Sequence, residues 1–279
     1  MMGILIHIEL EKLFRRGRSY IPVLAVLVII GVIQVGMMLD GVSLIDFVSE
    51  NLQEVFILEG NLLNGYLIAF ISINGLWIHV PILVVIVTGD MISGEAGAGT
   101  FRMVLSRPVS RTRLILAKFL TAMVYVAMLV ALLAVLSLGL GILFFGKGDI
   151  IVMFESINIL PEEILMGRFL MAFLFGMLGM WLVAALSFVF SALAENSLSP
   201  IILTMAIIIL FTIVSGFEIN IFQTIRPYLF TTHMNNWQSF FDFELDWNRI
   251  GRSAGVLVLH ILAFIAATLV IFRKKDITT

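Results

Sequence analysis

Residues 168–193 read RFLMAFLFGMLGMWLVAALSFVFSAL, and after Arg168 the run carries no charge. A helix rises about 1.5 Å per residue and the hydrocarbon of a bilayer is about 30 Å thick, so about 20 such residues cross it. Working outward, five more runs qualify, at about 20–38, 66–88, 114–145, 200–217 and 253–272. The third, 114–145, exceeds one crossing and is expected to tilt or to project into water. Pro200 suits the first turn of the fifth helix and Gly216 suits its end. These runs predict an all-α polytopic membrane protein with six transmembrane helices.

Composition agrees. Of 279 residues, 61% are apolar and 13% charged, where soluble domains carry roughly 25% charge. Mean hydropathy is +1.10. So much apolar surface does not fit inside a soluble globule of this size, which excludes a soluble enzyme, a disordered regulator and a nucleic-acid binder. There is no cysteine, hence no disulfide or thiolate site. His7, His79, His233 and His260 show no metal-ligand spacing, and no HExxH, GxSxG or Walker A pattern occurs. The chain is therefore expected to hold no metal and no cofactor of its own, to hydrolyse no nucleotide, and not to be an enzyme.

Twelve Lys and Arg residues fall on the side of the termini and five on the other. The positive-inside rule then puts both termini in the cytoplasm. The apolar run that follows residues 1–19 is too long for a signal peptide and is read as a retained first span. Within 1–19, Ile6, Leu10, Leu13 and Phe14 share one helical face and His7, Glu11, Arg15 and Arg18 the opposite one. That pattern predicts an amphipathic helix in the cytoplasmic interface.

The most informative stretch is the cytoplasmic loop 89–113, where residues 89–111 read GDMISGEAGAGTFRMVLSRPVSR. Gly89, Gly94, Gly97 and Gly99 open it. Thr100 caps a short helix carrying Phe101, Val104 and Leu105, Pro108 ends that helix, and Ser110 caps the third span. Rimmed by arginines, this is either a solvated basic loop or a compact docking element.

Here the residues resemble a known family. Asp90-Met91-Ile92-Ser93-Gly94-Glu95, Gly99-Thr100-Phe101-Arg102, Leu105-Ser106-Arg107-Pro108-Val109-Ser110-Arg111 and then Lys118 look like the first cytoplasmic loop of ABC-2 type transporter permeases. The ending Phe272-Arg273-Lys274-Lys275-Asp276-Ile277, the six spans and the basic N-terminal helix resemble that family too. The resemblance implies a type-2 ABC exporter permease in the inner, cytoplasmic membrane of a prokaryote. It would work as a homodimer or with a paralogue, bound to two ABC ATPase subunits that hold ATP and Mg. The ATPase-coupling residues it implies are Glu95, Gly99, Thr100, Phe101, Arg102, Leu105, Arg107, Pro108 and Arg111. Glu95 or Arg102 would pair with charges on the ATPase. Glu195, within Ala194-Glu195-Asn196-Ser197, would make a second, smaller contact.

No span carries a charge near its middle, and Lys118 and Arg168 lie close enough to span ends to snorkel. Ion-coupled carriers usually need an intramembrane acid or lysine, so the energy is expected to enter from outside the bilayer. Gln34, Asn74, His79 and Thr204 are pathway candidates, against the reading that they only bond neighbouring helices. His79 with Pro81 suggests a kink. The external segment 218–252 carries Phe222, Tyr228, Phe230, Trp237, Phe240, Phe241, Phe243 and Trp247, expected either to anchor at the headgroups or to line an exit. Three other classes stay open: an ion-coupled secondary carrier, an intramembrane enzyme, and a membrane scaffold or immunity protein. The uncharged span interiors favour lipid-like, peptide or amphiphilic cargo.

Overall fold

The computed structural model describes residues 2–53, 62–99, 109–153, 157–217 and 220–275. Helix α1 (Met2–Arg15) leads through a 3-10 turn at Gly17–Ser19 into α2 (Tyr20–Gln53). Then come α3 (Gly65–Leu76), α4 (His79–Thr88), α5 (Asp90–Gly97) and α6 (Arg111–Ala134). A π-helical turn at Val135–Leu140 joins α6 to α7 (Gly141–Phe145). The strands β1 (Ile150–Met153) and β2 (Ile157–Leu160) form a hairpin pairing Ile150 with Leu160. There follow α8 (Glu162–Leu193), α9 (Leu198–Gly216), the short α10 (Asn220–Ile225) and α11 (Phe230–Met234), a 3-10 segment Asn235–Phe241, and α12 (Trp247–Lys274). Among the described residues, six helical stretches are long and apolar enough to cross a membrane: Gly17–Ile45, His79–Gly97, Arg111–Phe145, Glu162–Leu193, Leu198–Gly216 and Trp247–Lys274. The protein is a mostly α-helical, polytopic membrane protein.

Helix α8 forms the centre and packs against α4, α6, α9 and α12. Its Phe169, Val183, Ala184, Ala185 and Phe188 are fully buried. The outer helices expose apolar side chains instead, among them Val32 and Leu39 on α2, Leu210 on α9 and Leu259 on α12. Such surfaces are stable only against lipid or another apolar partner.

Local chemistry sets the ends. Ser110 accepts a hydrogen bond from the Arg113 N–H (3.4 Å) and caps α6 as expected. Asn64 accepts from the N–H groups of Tyr66 and Leu67, both at 3.1 Å, and caps α3, while its amide donates to the Asp149 carbonyl at 2.8 Å. Asp246 accepts from the Arg249 N–H at 3.0 Å and opens α12. Where α3 begins, a Cβ on Gly65 would overlap the Gly141 carbonyl carbon and the Ile142 nitrogen. Two backbones touch there, and only glycine permits it.

The structure departs from the sequence reading in several places. The run 66–88 is two helices, with a break at Trp77–Ile78. Pro81 lies in the first turn of α4, where its missing N–H falls at that break. Helix α2 continues past residue 38 to Gln53. A short hairpin accompanies the all-α fold: Ile150, Val152 and Leu160 are buried while Ile157 and Ile159 are exposed, an alternation too short to stand out beside long apolar runs.

The aromatics of the far segment divide into buried and exposed groups. Trp237, Phe240 and Phe241 are buried, with Phe241 edge-on to Phe169 (4.8 Å between centroids) and Phe70 (5.0 Å), and Trp237 beside Trp77 (5.4 Å). Tyr228, Phe243 and Trp247 remain exposed. Arg168 is turned onto the far segment. Its guanidinium donates to the carbonyls of Phe240 (3.2 Å), Asp242 (3.1 Å) and Phe243 (3.1 Å), tying this segment to α8.

Gly65→Ala is expected to destabilise the detergent-solubilised protein by roughly 1–3 kcal/mol through overpacking. Gly75→Ala, where a Cβ meets open space, is expected to stay within about 1 kcal/mol of the parent. Parallel thermal melts check the pair; equal melting temperatures would remove the backbone contact from the account.

Candidate functional site

Glu9 and Leu13 sit one helical turn apart on α1 and are both buried. That face turns toward α6, because Leu13 has an apolar neighbour to find and Glu9 needs a cation. Lys118 supplies it. The Lys118 ammonium, 1% exposed, lies 2.7 Å from Glu9 Oε2 and 2.8 Å from Glu95 Oε1. Lys12 donates to Glu9 Oε1 at 2.8 Å and to Glu95 Oε1 at 3.3 Å. Arg16 and Arg18 each reach Asp90 at 3.1 Å, one on each carboxylate oxygen. Four cations and three carboxylates thus join α1, the turn after it, α5 and α6 around a cavity of about 20 Å³, room for one water.

α5 is held from the other side by α8. The Ser191 hydroxyl accepts from the Ser93 N–H (2.9 Å) and donates to the Gly89 carbonyl (2.6 Å). Thr88 and Ser187 share a hydrogen bond of 2.7 Å. Gly94 leaves space that the Asp90 carboxylate fills, and a Cβ on Gly97 would lie 2.9 Å from the Glu195 carbonyl oxygen. The loop's glycines therefore serve close packing as well as turning. Gly99 alone among them takes a left-handed conformation (φ +64), closing α5.

The ion pairs set the charge states. Burial pushes the Glu9 carboxyl up, but the Lys118 charge and hydrogen bond, together with Lys12, outweigh it and hold it below the ordinary 4.5. Burial pushes the Lys12 ammonium down, yet Glu9 and Glu95 hold it above the ordinary 10.5. The Glu9 contribution to stability is thus present above about pH 4.5 and lost as pH falls through its folded value. The Lys12 contribution is present below pH 10.5 and lost above its folded value.

The residues singled out from the sequence separate into groups. Glu95 faces inward, 4% exposed, and pairs with Lys118. Lys118 does not snorkel; it anchors the network. Arg111 donates to the carbonyls of Phe272 (3.4 Å), Arg273 (3.1 Å) and Lys275 (2.8 Å), capping α12. Lys275 donates to Ala192 (3.0 Å) and Ala194 (3.1 Å), capping α8. Glu195 is exposed beside the end of α5. Thr100, Phe101, Arg102, Leu105, Arg107 and Pro108 lie outside the described residues. The pathway candidates each bond to a different backbone carbonyl. Gln34 donates to the Ser137 carbonyl in the π turn (3.4 Å), Asn74 to Phe70 (3.0 Å) and Thr204 to Pro200 (2.6 Å). His79 is exposed and bonded to the Gly75 carbonyl at 2.9 Å.

Sequence reasoning missed Glu9, Lys12, Arg16 and Asp90 as one site. A signal existed: Glu9 falls within the apolar face of α1, one turn before Leu13, and an acid there needs a cation from elsewhere.

Lys118→Met is expected to cost about 3–5 kcal/mol, because Glu9 and Glu95 stay buried without their main partner. Glu11→Gln, which removes the exposed pair with Arg15, is expected to change stability by less than about 1 kcal/mol. Melts from pH 7 down to pH 3 are expected to show a loss of stability below about pH 4.5 that shrinks in Glu9→Gln.

A family described as "Protein of unknown function (DUF2705)" matches residues 27–278. Among curated proteins, the chain is 22% identical over 203 residues to "Uncharacterized protein YhcI" of Bacillus subtilis (strain 168). That match covers 69% of this chain and 63% of the relative, so the chain spans less than two thirds of the relative's length. With most of its length matched, the chain belongs to the DUF2705 family.

Proposed function

We propose that this member of the family is the membrane subunit of an ATP-driven transporter, an exporter of the ABC-2 permease type. In this reading it lies in the cytoplasmic membrane of a prokaryote with both termini inside, and it pairs with a second copy or a paralogue. Two separate ATPase subunits bind ATP and Mg, and this chain itself catalyses nothing. One observation carries the reading. The base of the loop 89–113 is fixed rigidly to the bundle, through Glu95 and Asp90 to α1 and α6 and through Ser93 to Ser191 on α8. A force applied to the loop is therefore delivered to several membrane helices at once, as an energy-coupling element requires.

The division of roles differs from a loop that only docks. Glu95 acts inward, as the link to Lys118 and Lys12. Phe101, Val104 and Leu105 are proposed to fill an apolar groove on the ATPase, and Arg102 and Arg107 to pair with its acids. Glu195 is proposed as a second contact. The side chains of Arg111 and Lys275 keep the ends of α12 and α8 in register.

The test is affinity purification of the tagged chain from native membranes in mild detergent. A P-loop ATPase is expected to co-purify, and Phe101→Ala with Arg102→Ala to abolish its recovery while leaving the melting temperature unchanged. Recovery of no nucleotide-binding subunit, with gradient-driven uptake into ATP-free vesicles, would make the protein a secondary carrier instead.

A further inference from the structure

At the end of the bundle opposite the termini, two cavities of opposite character share one wall. The first, about 290 Å³, is an apolar groove between the α3–α4 break and α9, lined by Trp77, Ile78 and Pro81 on one side and Met205, Ile209 and Ile213 on the other. Ile78, Ile209 and Ile213 are each about half exposed or more, so the groove opens at the surface of the chain. The second, about 450 Å³, is polar and holds Arg226, Arg249, Asn236, Gln238 and Asp242. Asn235 lines both. It also accepts the Trp77 indole N–H at 2.8 Å, fixing the side of the groove. The hydroxyl of Ser215 bonds those of Thr231 (3.1 Å) and Thr232 (3.0 Å), one lining each cavity.

The shape selects the occupant. From Met205 to Ile213 the groove follows α9 for about 12 Å. A slot of about 290 Å³ over that length has room for a polymethylene chain. The head end carries two guanidinium groups against one carboxylate, with amides and hydroxyls beside them. Arg226 is oriented by its Nε, which donates to the Ser215 carbonyl at 2.6 Å, and Asp242 is already engaged. An apolar slot and a cationic, hydrogen-bonding chamber that adjoin at Asn235 are together complementary to a single-chain anion.

We infer that this chain binds an anionic amphiphile drawn from the adjoining membrane leaflet, its acyl chain in the groove along α9 and its phosphate or carboxylate head between Arg226 and Arg249. The site stands on its own geometry and is independent of how the protein is energised.

The test is native mass spectrometry of the full chain in neutral detergent, titrated with lysophosphatidylglycerol or lysophosphatidylcholine. One equivalent of the anionic lipid is expected to bind roughly tenfold more tightly than the zwitterionic one, and the preference to fall with salt. Arg226→Gln with Arg249→Gln is expected to erase the preference while leaving lysophosphatidylcholine binding intact. Ile209→Trp, which fills the groove, is expected to abolish both, and glycerol phosphate alone is expected not to compete. Equal binding of the two lipids by the parent protein overturns the inference. So does a preference that survives the double substitution, or retention of lipid by Ile209→Trp. If a variant fails to fold, the salt dependence and preference of the parent still decide. None of these measurements involves an ATPase, so their failure is distinct from a failure of the transport reading.

Discussion

Lys118 is buried eight residues into a long apolar helix, and its charge is tolerable there because Glu9 and Glu95 stand 2.7 and 2.8 Å away. Everything at this end of the molecule follows from that constraint. Glu9 must be brought by α1, so α1 lies along α6 with Leu13 buried beside it. Glu95 must be brought by α5, so the chain leaving α4 continues inward for two more turns before the loop begins. Arg16 and Arg18 then meet Asp90, the first residue of α5. Buried ion pairs contribute little net stability over an apolar packing, but removing one partner is costly. Such a network specifies an arrangement more than it strengthens the fold.

The two ends of the bundle are built from different chemistry. Near the termini, charge pairs and helix caps from Arg111 and Lys275 hold α1, α5, α6, α8 and α12 together. At the far end, aromatic packing of Trp237, Phe240 and Phe241 closes the bundle, with Arg168 gathering three backbone carbonyls. The central helix α8 reaches both, with Arg168 at one end and Ser191 at the other. The break at Trp77–Ile78 sits under the far segment and is hydrogen-bonded to it through Asn235. A displacement of α5 and α8 at one end therefore has a continuous packed route to the groove at the other.

Periodicity and length made the membrane spans legible, because crossing hydrocarbon demands long uninterrupted apolar helices and little else imitates them. Ser110 was legible as a cap for the same kind of reason: its chemistry is local. The hairpin at 150–160 was not, since four-residue strands carry no pattern distinguishable from short apolar loops. Nor was the burial of the far aromatics, because an aromatic residue suits a headgroup belt and a packed core equally. Glycines that open a loop ordinarily mark turns. Gly94 and Gly97 instead leave room for the Asp90 carboxylate and the Glu195 backbone, neighbours that only the folded chain supplies.

The amino-acid order by itself determined that this protein lives in a bilayer, how many apolar stretches it uses and where its basic residues gather, since each depends on near neighbours and on solvent. Only tertiary structure decided which charges meet. Glu9, Asp90, Glu95 and Lys118 are separated by up to 109 residues, and no local rule brings them together. They meet because an ionised group buried among apolar helices has to find its opposite charge, and the packing of α1, α5 and α6 supplies it.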